Sequence, residues 1–589
     1  MGASDASTRI PSAGNTTSLH ESDEATSNNT AKKNLARQSF SDWPNAAGFE
    51  GLTEHRGPVN LKITGTIPPW ASGSLYRTGP GGESVEGTKS GTFRISHWFD
   101  GLAHTHRFDI LPDDADPSRA RVQYSSRRQS EAFEKDIKAN GRIHAMTFGQ
   151  KVDPCVGIFS KFMSVFGRPR LDNVCVTVHA DVPALRSFCD KDAGNAEGPS
   201  IEAPVAGHQS LPGTLLLGTD TPWFSQLDPA TMEHIRYLSP KALHPQLKGL
   251  SGPAHGQKDP ITGDFVSFNI EFGAGKATYR VFQVSVETGE TRILATFPST
   301  PAYMHSFFLT LNYAIICVPV AHLQLSGAKV LWVGSLVEAF QPFDESEVCR
   351  WYIVDRNNGG LVAEATSPAA FFFHSVNAFE TADGDIVCDT IEYPDTAIVH
   401  AFYYDVLLNR EGKAEDFWGD KKRAASCRAK LVRYRFEKAQ FLDKTSAPAV
   451  IQPQKVWEIE APHDGDMPTI NPAVACREHQ YVYTLVSRGL STLFDAIVKI
   501  DARTRQVLQW SGPPGHTPGE AIFVARPVEG TRPADEDDGV LLSVVLDGHK
   551  GTSYLLCLDA KTMTEMGRAE CDFAVGFGFH GQHCPAPLC

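Results

Sequence analysis

Short runs of alternating apolar and polar residues, each closed by an acidic residue and a polar turn, recur along most of this chain. The runs HRFD, SQLD, QVSVE, WYIVD, VRYRFE, IVKID and YLLCLD end at Asp109, Asp228, Glu287, Asp355, Glu437, Asp501 and Asp559. A second β-rich run follows several of them, as in TGETRILATF, RNNGGLVAEA and ARTRQVLQW. Alternation that reverses across Gly, Thr or Asn predicts β-hairpins. Their spacings are 119, 59, 68, 82, 64 and 58 residues, and the longer ones carry insertions. Hairpins alone would also suit a large β-sandwich or two β domains. Regular recurrence favours an all-β, seven-bladed β-propeller, whose radial sheets leave only short, protected edges.

Outside that rhythm, residues 1–45 are rich in Ser, Thr, Asn and Ala, a composition that predicts a disordered tail before a propeller domain spanning 46–589. Polar stretches at 188–212, 408–428 and 529–538 are expected as surface loops. The 41% hydrophobic content supports a large core, and 49 Gly with 38 Pro supply turns. Asp and Glu outnumber Lys and Arg by 69 to 55, for a net charge of −14 without a basic run, so nucleic acid is not an expected partner. The 12 cysteines form no C-x-x-C pair and read as reduced thiols of a cytoplasmic protein. Neither a signal peptide nor a run of about 20 apolar residues is present, which leaves at most peripheral attachment to a membrane.

Four of the 21 histidines lie in apolar, β-rich settings: His255 (SGPAHGQKD), His305 (PAYMHSFF), His374 (AFFFHSVN) and His580 (GFGFHGQH). Separations of 50, 69 and 206 residues correspond to about one, one and three blades. Inner strands of a propeller converge on its axis, so histidines at that period can meet there. Any one of them alone would read as an ordinary core histidine. Four neutral imidazoles suit iron, copper or zinc, and they leave the cation's charge to be balanced by carboxylates that accept the other ring N–H groups.

The residues around these histidines resemble those of the carotenoid cleavage oxygenases, the family of carotenoid oxygenases, retinal pigment epithelium isomerase and stilbene-cleaving dioxygenases, and its fungal members above all. The likeness runs from about Gly73 to His580 through GSLYRTGPG, HWFDGLAHTHRF, the A-H-x-x-x-D-P-x-T-G run at His255, the H-x-F-x-x-T-x-N-Y run from His305, DMPTINP, GEAIFVARP, DDGVLLSVVLD and FGFHG. The resemblance implies a propeller with a helical and loop cap over the metal. It also implies Fe(II) on His255, His305, His374 and His580, with O2 as co-substrate and Asp220, Asp466 and Glu520 as the supporting carboxylates. Two of these are aspartates where the family usually has glutamate. A side chain one methylene shorter needs a closer backbone or a bridging water. The implied reaction cleaves a C=C bond of a hydrophobic polyene into two carbonyl products, as with β-carotene to retinal or torulene to an apocarotenal.

Two further expectations rest on local detail. Ile158, Phe159, Phe162, Met163, Val165 and Phe166 within DPCVGIFSKFMSVFG at 153–167 form one apolar stripe, either packed on the core or dipping into a bilayer. The family context favours the bilayer. Stilbene-cleaving relatives grip a phenol with a Tyr and a Lys, and the corresponding positions here are Arg128 and Val156 or Gly157, with Lys151 and Lys161 nearby. An unpaired buried phenol is costly, so a carotenoid is the favoured substrate. Stilbene cleavage and non-cleaving isomerisation are the alternatives.

Overall fold

The computed structural model describes residues 13–89, 91–144, 146–151, 173–191, 211–273, 275–441, 448–528 and 534–586. Antiparallel sheets follow one another along the chain, each built mainly from sequence neighbours. Thr177–Leu238 forms a four-stranded sheet, Gln257–Ser299 another, Phe308–Pro368 the next, Ser375–Glu460 the fourth and Asp466–Ser511 the fifth. His516–Glu570 continues into a ten-stranded sheet, because Lys62–Gly65 pairs with Gly567–Glu570 while Val59–Leu61 pairs with Val122–Tyr124. In that second half Gly73–Pro80 lies between Ala103–Pro112 and the closing strand Gly581–Pro585, which ties the two ends of the chain together.

The acidic residues that close the predicted runs have a physical task. Asp228, Asp355, Asp501 and Asp559 end or follow a strand, and Oδ1 of each accepts the backbone N–H groups two and three residues on. Such Asx turns fix the reversal locally. The residue four after the aspartate has positive φ: Gly359 follows Asp355, while Met232, Arg505 and Met563 take the same left-handed conformation after the other three. Asp109 departs from the expectation. It sits inside the strand Ala103–Pro112, held by Arg107 and Ser74, and the reversal comes at 113–119.

Residues 13–45 are not the disordered tail that composition suggested. Asn15–Leu19 adds an outer strand to Val507–Ser511, and the helix Glu24–Ala36 follows. Strand addition is made by backbone groups and needs no apolar sequence, so composition cannot reveal it. The larger apolar side chains of the helix and the turn after it are used: Leu35, Phe40 and Trp43 are buried, with Ala31 beside them. The Trp43 indole N–H donates to Thr517 Oγ1 at 2.8 Å. Trp43→Ala is expected to lower the unfolding free energy by about 3 kcal/mol, as for other buried tryptophans. An unchanged urea midpoint would count against that anchoring.

The segment 408–428 also departs from the loop reading. It folds into the helices Lys413–Gly419 and Lys421–Ser426, with Ala414 and Phe417 buried in the core. Of 188–212, residues 192–210 lie outside the described residues, as do 529–533; Glu536 and Asp537 next to the latter are tied to the Gln480 and Tyr481 amides and to Lys499. Of the ten described cysteines, nine are buried.

Candidate metal centre

Each of the four histidines stands one to three residues before an edge strand of its sheet. His255 precedes Gln257–Lys258, His305 lies just upstream of Phe308–Leu309, His374 precedes Ser375–Glu380 and His580 precedes Gly581–Pro585. These are edge strands in four different sheets. The side chains therefore meet although the residues are far apart in sequence: one nitrogen or more from each ring falls within 4.8 Å of the others. His305, His374 and His580 are buried and His255 is half-buried. These four could hold one metal ion.

The expected carboxylates arrive from three further places. Asp220 follows the strand Leu215–Gly218, Asp466 opens the strand Asp466–Thr469, and Glu520 lies between His516–Pro518 and Ile522–Ala525. Nδ1–H of His305 donates to Asp220 Oδ1 at 2.7 Å, that of His374 to Asp466 Oδ1 at 2.6 Å, and that of His580 to Glu520 Oε1 at 2.7 Å. Both aspartates reach their rings directly, so the close backbone, and not a bridging water, compensates for the missing methylene.

These bonds decide where the lone pairs point. A neutral imidazole that donates through Nδ1 presents a bare lone pair at Nε2. The Nε2 atoms of His374 and His580 nevertheless face each other at 3.1 Å, and those of His255 and His305 also lie 3.1 Å apart. Two lone pairs at that distance repel; a cation between them turns the repulsion into coordination. Nitrogens about 2.1 Å from one ion and at right angles would sit about 3 Å apart. The donor set thus fits a metal ion. Burial, reinforced by the neighbouring imidazoles, pushes the His255 pKa well down, and burial also lowers that of His580, so both stay neutral at neutral pH. Burial works to raise the Asp466 pKa, but His374 beside it, with hydrogen bonds from His374, Tyr393 and the Met467 amide, holds it below the usual carboxylate range.

Two residues in the cluster escaped the sequence reading. The Tyr303 hydroxyl donates to Asp220 Oδ2 at 3.0 Å, and that of Tyr393 to Asp466 Oδ2 at 2.8 Å. Tyr303 had a signal available, since a residue two before His305 in an extended run shares its face. Tyr393, in DTIEYP, had none.

Two cavities adjoin the centre. The larger, about 170 Å³, is lined by Phe99, Phe148, Asp220, Leu250 and Tyr303 among others. A smaller one of about 30 Å³ lies against His305, His374 and His580 and is walled by Trp98, Phe99 and Phe579. Phe99 borders both. Of the positions weighed for phenol recognition, Arg128 is committed to Glu134 at 2.7 Å and Lys151 to Asp405 at 2.6 Å; Val156, Gly157 and Lys161 lie outside the described residues.

Comparison with known proteins finds relatives over nearly the whole chain. The chain is 46% identical to a carotenoid dioxygenase of Neurospora crassa, over 97% of this chain and 96% of that protein. It is 44% identical to a torulene dioxygenase of Gibberella fujikuroi, over 96% and 97% respectively. Among solved structures, cobalt-substituted Synechocystis ACO shares the fold with a TM-score of 0.67 at 21% identity, covering 92% of this chain and 98% of that one. Residues 48–585 match the family of the retinal pigment epithelial membrane protein, RPE65, and the chain belongs to that family.

Proposed function

We propose that this chain is a non-haem Fe(II) dioxygenase that cleaves a C=C bond of a carotenoid with O2, giving two carbonyl products. The observation that carries the reading is the meeting of four imidazoles within 4.8 Å, three of them fixed by carboxylates with Nε2 left bare. The near full-length likeness to fungal proteins named carotenoid and torulene dioxygenases supports the substrate class. In this reading His255, His305, His374 and His580 hold the iron, and the sheets that deliver them are blades of a seven-bladed propeller. Bound there, Fe(II) would supply the activation of O2.

The chain's own groups do the rest. Asp220, Asp466 and Glu520 fix the tautomer and tilt of three rings and offset the cation's charge in a buried place. Trp98, Phe99, Phe373, Phe402 and Phe579 line the inner cavity and offer flat apolar walls to a polyene while excluding water. A long conjugated substrate would enter by the larger cavity, and the depth to which it slides past Phe99 would select the bond presented.

Membrane contact fits the same picture. Met146 and Leu250, which line the larger cavity, and Leu325 and Trp332 near its wall residues Leu323 and Val330 are exposed large apolar side chains. Such a rim suits a bilayer surface holding a lipid-soluble substrate. The apolar stripe at 153–167 lies outside the described residues, and no described helix is long and apolar enough to cross a membrane.

The deciding experiment incubates purified, iron-loaded protein with β-carotene, torulene and resveratrol, in air and under nitrogen, and identifies products by mass. Aldehyde products from a carotenoid, formed only in air, are expected. Turnover without O2 would remove the dioxygenase reading, and cleavage of resveratrol alone would move the substrate to the stilbenes.

A further inference from the structure

Each of the three carboxylates beside the imidazoles gives one oxygen to a ring N–H and the other to a further donor. Asp220 takes the His305 ring N–H on Oδ1 and the Tyr303 hydroxyl on Oδ2. Asp466 takes the His374 ring N–H and the Met467 backbone N–H on Oδ1 and the Tyr393 hydroxyl on Oδ2. Glu520 takes the His580 ring N–H on Oε1, but its second donor is the Gly581 backbone N–H at 2.8 Å. Where the acid is short, the second donor is a phenol. Where it is long, a backbone amide serves.

We propose that Tyr303 and Tyr393 are positioning residues, each clamping a short aspartate so that its other oxygen holds the ring of His305 or His374 in the orientation that metal binding requires. This rests on the reading of the four histidines as metal ligands. A carboxylate with one oxygen unpaired in a buried site can rotate toward any other donor, and the imidazole attached to it would turn with it. The phenol removes that freedom.

The two clamps are built as a pair. Phe371 stacks on Tyr303 with ring centroids 6.3 Å apart, and its backbone exchanges hydrogen bonds of 3.0 and 2.7 Å with that of Tyr393. Phe371 also lies three residues before His374. One buried aromatic thus sets the distance between both tyrosines and the strand that carries the ligand.

The test is Tyr303→Phe and Tyr393→Phe, which keep the rings and remove only the hydroxyls, studied beside His374→Ala in the cobalt(II)-loaded and metal-free protein. Expected for each Phe variant are a metal dissociation constant raised about 10- to 100-fold and a shifted cobalt(II) visible band. The turnover number is expected to fall with KM unchanged within about twofold. A purely structural role would lower the melting temperature and leave the cobalt band and metal affinity unmoved, which overturns the proposal. Failure of both Phe variants to fold would assign the hydroxyls to folding and overturn it equally. If His374→Ala still binds cobalt with an unaltered band, the ligand reading itself falls. If that variant loses the metal while the Phe variants behave as wild type, only the clamp falls.

Discussion

His305→Ala and His580→Ala should each abolish metal retention and turnover while leaving most of the sheets folded. Each substitution removes one of four nitrogens that lie within 4.8 Å of one another. It also strands a carboxylate, Asp220 or Glu520, without its ring N–H partner. Changes that merely disturb such a hydrogen-bond partner weaken metal binding by about 10- to 100-fold, so loss of the ligand should exceed about 100-fold. The fold should survive because the histidines lie at the heads of short edge strands, whereas the buried cores, around Trp351 and Trp510 for example, lie between sheets. Metal content after dialysis, turnover and circular dichroism check the three parts. Full activity in either variant would refute the assignment.

Acid should weaken the metal-free protein well above the pH at which most carboxylates titrate. Burial pushes the His97 and His104 pKa values down to about 3 and that of His106 well below the ordinary imidazole range. All three side chains are buried. In the unfolded chain these rings take up protons below about pH 6.5, but the folded protein keeps them neutral. Their stability contribution is therefore complete above about pH 6.5, and it drains away as pH falls from there toward the folded-state values. Each imidazole removes up to about 1.4 kcal/mol per pH unit, so the three together steepen the loss to at most about 4 kcal/mol per pH unit. Urea midpoints measured from pH 7.5 to 4.5 should be flat at first and then fall steeply. A flat profile down to pH 5 would show that these rings are protonated in the native state.

Much of this was legible in the sequence because it is periodic. Strand alternation ending in Asp marked the hairpins at Asp228, Asp355, Asp501 and Asp559, since an Asx turn needs a particular side chain at a particular place. The histidines stood out by recurring near the length of one sheet. What stayed hidden depends on backbone or on distant partners. Asn15–Leu19 pairs through main-chain groups, which composition does not encode. Phe417 sits in a polar stretch, and its burial follows from the surface the short helix meets. Tyr393 reveals its role only once Asp466, 73 residues later, folds against it.

The strand Gly581–Pro585 belongs to the same sheet as Gly73–Pro80, and His580 immediately precedes it. The final imidazole therefore reaches the other three only when the C-terminal end of the chain docks against its beginning. A chain that stops short of His580 offers an ion only three of the four nitrogens. If the four histidines hold the ion, its binding would wait for this strand to dock, and a stop codon placed just before His580 is expected to leave a metal-poor protein.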